Sequence, residues 1–185
     1  MGREVRRVPA DWQHPKVTRP NYLKGRMEER FQPMFDRPFA PAMREWIAEW
    51  EAWERGERPD YCDESNAKLP FWEWSGPPPD PAYYRPDWPE ESRTHLMMYE
   101  DTSEGTPISP AFATPEELAR WLADNKASSF ASDTATYEQW LQVCKGAYAP
   151  SAVYSPETGL IIGVAASGVS ASDSKTQAPK GPDHG

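Results

Sequence analysis

The chain has 185 residues, a net charge of −9, 21 prolines and only 38% apolar residues, offset by nine tryptophans and eight tyrosines. That length holds one domain with a core, and the composition excludes a long aliphatic sheet in favour of a few large rings pinned by proline-rich loops. The acidic excess argues against a general nucleic-acid binder, and no apolar run approaches the roughly 20 residues of a membrane span.

Arg3 to Val8 alternates enough for a short strand, ended by Pro9. From Pro9 to Pro41, prolines at 9, 15, 20, 33, 38 and 41 predict an extended arm, tied down by Trp12, Tyr22, Phe31, Phe35 and Phe39. Ala42 to about Gly56 reads as a helix with Pro41 at its start and Gly56 as its stop. Met43, Trp46, Ile47, Trp50 and Trp53 recur at helical spacing and predict its buried stripe.

Residues 57–92 combine many prolines with Trp72, Trp74, Tyr83, Tyr84 and Trp88. So many aromatics argue against disorder, and the segment reads as a long ordered loop packed on the domain's own tryptophans. Thr94 to Glu100 is a predicted strand, followed by the turn Thr102-Ser-Glu-Gly-Thr-Pro-Ile-Ser-Pro110 and a return segment from Ile108 to Phe112, together a hairpin. Thr114, Pro115 and Glu117 spell a capping box. The helix they open turns Leu118, Trp121 and Leu122 inward and takes a left-handed stop at Asn125. A further helix from about Thr136 to Lys145 points Tyr137, Trp140, Leu141 and Cys144 inward and packs antiparallel to the preceding one. Ser151–Tyr154 and Leu160–Val164 flank a Ser-Pro-Glu-Thr-Gly turn and predict a second hairpin. The stretch 166–185 is small and polar and reads as a disordered tail.

The expected fold is therefore a small single α+β domain over 1–165, with about three helices and two short hairpins. An extended arm occupies 1–41, and a Pro/Trp-rich loop wraps from 57 to 92.

Charge is uneven. Residues 1–30 carry eight basic and four acidic side chains, whereas Glu45 to Glu104 holds sixteen acidic and five basic ones. Such an acidic run is ordinarily a solvated face that keeps the protein soluble. Its sharper use is imitation of a phosphate backbone toward a basic partner, with Glu49, Glu54 and Glu57 as the residues to change. Arg3, Arg6, Arg7 and Trp12 either meet a partner or pair with those acidic faces.

Signals for chemistry are weak. His14, His95 and His184 are scattered, and Cys62 and Cys144 form neither a disulfide framework nor a metal-ligand pattern, so no metal or cofactor is expected. A Cys–His nucleophile would have to pair His95 with Cys62 or Cys144, and Cys144 falls on an inward helix face. Gly105 stands alone without a phosphate-binding Lys. The best candidate surface is the turn itself: Thr102, Ser103, Thr106 and Ser109 offer hydroxyls, Glu104 a charge, and Gly105 a positive backbone angle. Turn geometry alone would account for the same residues.

The strings Gly2-Arg-Glu-Val-Arg-Arg-Val-Pro-Ala-Asp-Trp-Gln-His-Pro15, Thr102-Ser-Glu-Gly-Thr-Pro-Ile-Ser-Pro110, Thr114-Pro-Glu-Glu-Leu-Ala-Arg-Trp-Leu-Ala-Asp-Asn125 and Tyr137-Glu-Gln-Trp-Leu141 resemble a group of small, functionally uncharacterised bacteriophage and prophage proteins. The resemblance spans roughly the first 30 residues and 88–165. It implies a setting in the bacterial host cytoplasm and supplies no catalytic residues.

The expected function is a phage or prophage accessory protein that binds another protein of host or phage. One form of it is an acidic inhibitor of host nucleic-acid-binding defence machinery. No membrane and no direct nucleic-acid contact are expected. The alternatives are a small enzyme of nucleic-acid or nucleotide metabolism, with His95 and the Thr102–Ser109 loop at its site, or a minor virion component.

Overall fold

The computed structural model describes residues 2–101, 105–130, 133–146, 148, 149, 152–155, 159–162 and 164. Its elements, in order, are β1 (Arg3–Val8), β2 (Lys16–Asn21), β3 (Arg26–Phe31), β4 (Phe35–Pro38), α1 (Phe39–Glu54), α2 (Phe71–Trp74), β5 (Tyr84–Arg85), β6 (His95–Glu100), β7 (Thr106–Pro107), α3 (Pro115–Asp124), α4 (Tyr137–Gly146), β8 (Tyr148–Ala149), β9 (Ala152–Ser155) and β10 (Gly159–Ile162). Helices and small, mostly antiparallel sheets alternate, which makes this an α+β domain.

The centre is a four-stranded sheet in the order β7-β6-β1-β8. Successive residues of β6 point to opposite faces, and both faces are covered. Leu96 and Met98 join Leu118, Leu122, Trp140, Val143 and Cys144 beneath α3 and α4. Met97 and Tyr99 join Val8, with Trp12, Trp88 and Ala111 packed over them. The run Leu96-Met-Met-Tyr99 forms a strand here because neither of its sides meets water.

The capping box forms as predicted: Thr114 Oγ1 accepts from the Glu117 amide at 3.2 Å while Glu117 Oε2 accepts from the Thr114 amide at 3.2 Å. Thr136 and Gln139 repeat the device at the start of α4. Glu116 near the start of α3 meets Lys145 near the end of α4 at 2.9 Å, as antiparallel neighbours require.

The stop of α3 differs from expectation. Asn125 keeps a negative φ of −87°, and Lys126 takes the left-handed position at φ 50°. The amides of Lys126 and Ala127 then close onto the carbonyls of Ala123 and Leu122, a Schellman ending with lysine where glycine is the usual choice. At the end of α1 the same ending uses Gly56, at φ 87°, as expected.

The expected extended arm is instead largely sheet. β2 and β3 pair antiparallel from Lys16↔Phe31 to Asn21↔Arg26, and β4 pairs parallel with β5. The turn is built by Asn21, whose Oδ1 accepts from the amides of Leu23 and Lys24. Tyr22, expected to anchor the arm, lies at its exposed tip. The α1 stripe is also only partly buried: Trp53 is 5% exposed and Trp50 is 38% exposed. The reason is that α1 packs on a thin layer, the 57–76 segment and α2, rather than on the main sheet. There Trp53 Nε1 donates to Leu69 O at 3.0 Å and Trp46 Nε1 to Gly76 O at 3.4 Å.

β9 and β10 form the second predicted hairpin. The expected tail at 166–185 lies outside the described residues. Among those described, no helix is long and apolar enough to cross a membrane.

Candidate functional site

A cleft of about 500 Å³ opens beside the main sheet. The β1–β2 connection contributes Trp12 and His14, β2 gives Lys16, β3 gives Phe31, β6 gives Met97, the end of β7 and the segment after it give Pro107–Ala111, and α3 gives Trp121. Its walls are mainly apolar, and its buried polar side chains, His14 and Ser109, are already engaged.

His14 is the clearest case. The ring is 7% exposed, with Nε2 2.6 Å from Gln32 O and Nδ1 3.2 Å from Tyr99 OH. A carbonyl can only accept, so Nε2 carries the proton and Nδ1 accepts from the tyrosine hydroxyl. That hydroxyl in turn accepts from Trp12 Nε1 at 3.3 Å. In the neutral ring, which burial favours, the chain Trp12 → Tyr99 → His14 → Gln32 runs in one direction, and the Gln32 carbonyl selects the Nε2–H tautomer. Burial lowers the His14 pKa from its ordinary value, and nearby Arg6 lowers it further against the opposing pull of the Gln32 carbonyl. Burial likewise pushes the Tyr99 hydroxyl up to about 12. Edge-on rings of Trp12 and Phe31 complete the enclosure. The sequence gives no sign of this site, because the partners of His14 lie 18 and 85 residues away.

The loop singled out in the sequence borders this cleft, but through its Pro107–Pro110 end. Ser109 is 6% exposed. Its hydroxyl accepts from the Met98 amide at 2.9 Å and donates to Pro110 O at 2.8 Å. It replaces a backbone rung of the β6 ladder and is not offered to a ligand. Thr106 is half-buried in β7, and a Cβ on Gly105 would lie 2.0 Å from Met34 O. Gly105, at φ 86°, is thus required by a close backbone approach. Thr102, Ser103 and Glu104 lie outside the described residues.

The N-terminal arginines are internal. Arg3, 1% exposed, donates to Ser128 O, Ser128 Oγ, Gly2 O and Glu100 Oε1. Arg6 donates to Glu4 Oε2 and Met34 O and lies 4.5 Å over the Tyr99 ring. Neither pairs with α1 and neither faces outward, contrary to both expectations; Arg7 alone of the three is exposed.

The acidic residues divide. Glu49 and Glu57 border a second, smaller cleft of about 370 Å³ together with Trp53, Arg58, Tyr61, Phe71 and Trp74. Glu54 is exposed outside it. The Cys–His pairing does not assemble among the described residues: Cys144 is buried beneath α3, its thiol pushed up to about 12 by burial, while His95 Nδ1 meets Thr94 Oγ1 at 3.0 Å. No group of three or more His, Cys, Asp or Glu among the described residues is placed to hold a metal ion.

Comparison with known proteins returns no match among family models, curated proteins or solved structures.

Proposed function

We propose that this protein is a phage or prophage accessory factor that works by binding another protein, and that the Trp12–Trp121 cleft receives an apolar segment of that partner. One observation carries the reading: the cleft is large and apolar-walled, and its buried His14 and Ser109 are saturated by internal hydrogen bonds. Such a site gains by covering apolar surface. A reacting group would need a free base or nucleophile within reach. The phage setting rests on the quoted sequence strings.

The test is affinity capture from bacterial host lysate with the wild-type chain and with Ala111→Glu, which places a carboxylate on the cleft wall. A partner retained by wild type and lost with the folded variant supports the reading; identical capture by both overturns it. A thermal-shift screen against nucleotides and phosphosugars addresses the enzymatic alternative, which stabilisation reversed by Ala111→Glu would favour.

A second reading rests on α1, where Glu49, Glu51 and Glu54 are exposed and make no ion pair among the described residues. This face suits an acidic inhibitor of nucleic-acid-binding machinery. Binding that survives Glu49→Gln, Glu54→Gln and Glu57→Gln together would remove that reading.

A further inference from the structure

Among the described residues the β2–β3 hairpin has no third strand, and it carries apolar side chains where water should be. Leu23 is 100% exposed, Tyr22 89% and Met27 59%. The hairpin bears five basic side chains, Lys16, Arg19, Arg26 and Arg30 on its strands and Lys24 in its turn, against Glu28 and Glu29. A projecting tip that is both apolar and cationic matches a surface that is both aromatic and anionic.

The second cleft is such a surface. Trp53, Trp74 and Tyr61 form a continuous stack, with ring centroids 5.5 and 6.0 Å apart. Arg58 closes its inner end, 3.7 Å over Trp53 and hydrogen-bonded to Trp53 O and Ala67 O. The outer end is open, with Tyr61 81% exposed. Glu49 and Glu57 stand on its border, in a stretch from Glu45 to Glu64 that has eight acidic and two basic residues. Because Leu23 is fully exposed, the tip and the cleft do not meet within one molecule.

We infer that they meet between molecules: Tyr22-Leu23-Lys24 of one chain seats in the Trp53–Trp74–Tyr61 cleft of a second copy. Leu23 covers the open end of the stack, and Lys24 exchanges part of its pairing with Glu28 for Glu49 and Glu57. The contact is head-to-tail, so each chain keeps one free tip and one free cleft, and assembly continues as a ring or an open row. A three-residue tip covers much less than the roughly 800 Å² per partner of a standard interface, so association is weak and concentration-dependent. The charge pairing is rim-exposed and therefore salt-sensitive.

Sedimentation velocity on the full chain tests this. The expected weight-average mass rises past the monomer with concentration and falls back as salt is raised from about 0.1 M to about 1 M, which shortens the screening length from about 10 Å to about 3 Å. Leu23→Asp and, separately, Glu49→Lys with Glu57→Lys each give monomers, with near-UV circular dichroism unchanged because all three positions are exposed. Mixed one to one, the two variants form a dimer and nothing larger, since the first keeps its cleft and the second its tip. A wild type that remains monomeric up to roughly millimolar concentration, the limit of useful affinity, overturns the inference. So does association by Leu23→Asp equal to wild type, or a mixture that stays monomeric.

Discussion

The two clefts are both walled by aromatic rings, yet they are built in opposite ways. At the Trp12–Trp121 cleft the polar atoms are turned inward: His14 is locked between Tyr99 and Gln32, and Ser109 serves the β6 ladder. At the Trp53–Tyr61 cleft the carboxylates stay on the border, with Glu49 unpaired among the described residues. The first lies against a strand buried on both faces. The second lies on a helix backed by a short helix and a loop. The cleft joined to the main core is mainly apolar, whereas the one on the thin layer presents charge and exposed rings.

Substitutions can break this contrast. The largest loss is expected from Trp140→Ala, which empties a fully buried site beneath α3 and α4 and should cost about 3–5 kcal/mol in chemical denaturation. Trp50→Ala, on the thin layer, should cost less than about 1 kcal/mol by the same measure, because a half-exposed ring has little packing to lose; equal losses would erase the distinction. Gly105→Ala forces a Cβ into Met34 O at a positive φ and should cost about 3 kcal/mol.

His14 sharpens the comparison through pH. Its folded pKa is depressed, so the unfolded chain binds the proton first, near 6.5. Its contribution is complete above that value and is lost as pH falls through it toward the folded pKa, with a slope of up to about 1.4 kcal/mol per pH unit. Stability measured from about pH 7.5 to about pH 5.5 should decline in wild type and flatten in His14→Gln; parallel curves would exclude the neutral, buried histidine. The smallest change runs the other way. Lys126→Gly relieves the left-handed strain at the end of α3 and should raise stability by about 0.5–1 kcal/mol.

Much of the main core was legible in the sequence because its signals are local. Thr114, Pro115 and Glu117 specify a helix start within four residues, and Arg3–Val8 and Thr94–Glu100 alternate or run apolar as strands do. The β2–β3 hairpin was not legible. Lys-Val-Thr-Arg-Pro-Asn and Arg-Met-Glu-Glu-Arg-Phe show little apolar alternation, since little of the pair is buried, and Pro20 reads as a breaker. The antiparallel ladder pairs the strands, and charge rather than apolar surface surrounds it: the Glu28 carboxylate accepts from Asn21 across the hairpin, from Lys24 in the turn and from Arg26 and Arg30 of its own strand, with Asn21 the strongest cause of a pKa lowered to about 2. Asn21 and Gly25 are turn residues, but the prolines around them read as breakers. The His14 site was illegible for another reason, because its hydrogen-bond chain joins three separate stretches of sequence. The hydroxyl-rich turn was identified as a surface, but a sequence gives no sign that Ser109 would be used as a rung of the sheet.

Recognition at the Trp12–Trp121 cleft is the function proposed for this protein. Hydrogen–deuterium exchange on the chain alone and bound to its captured partner tests it. New protection is expected at residues 12–16, 107–112 and around Trp121, with α1 and residues 57–76 unchanged. Protection confined to α1 and 57–76, with the cleft exchanging as in the free chain, would contradict it.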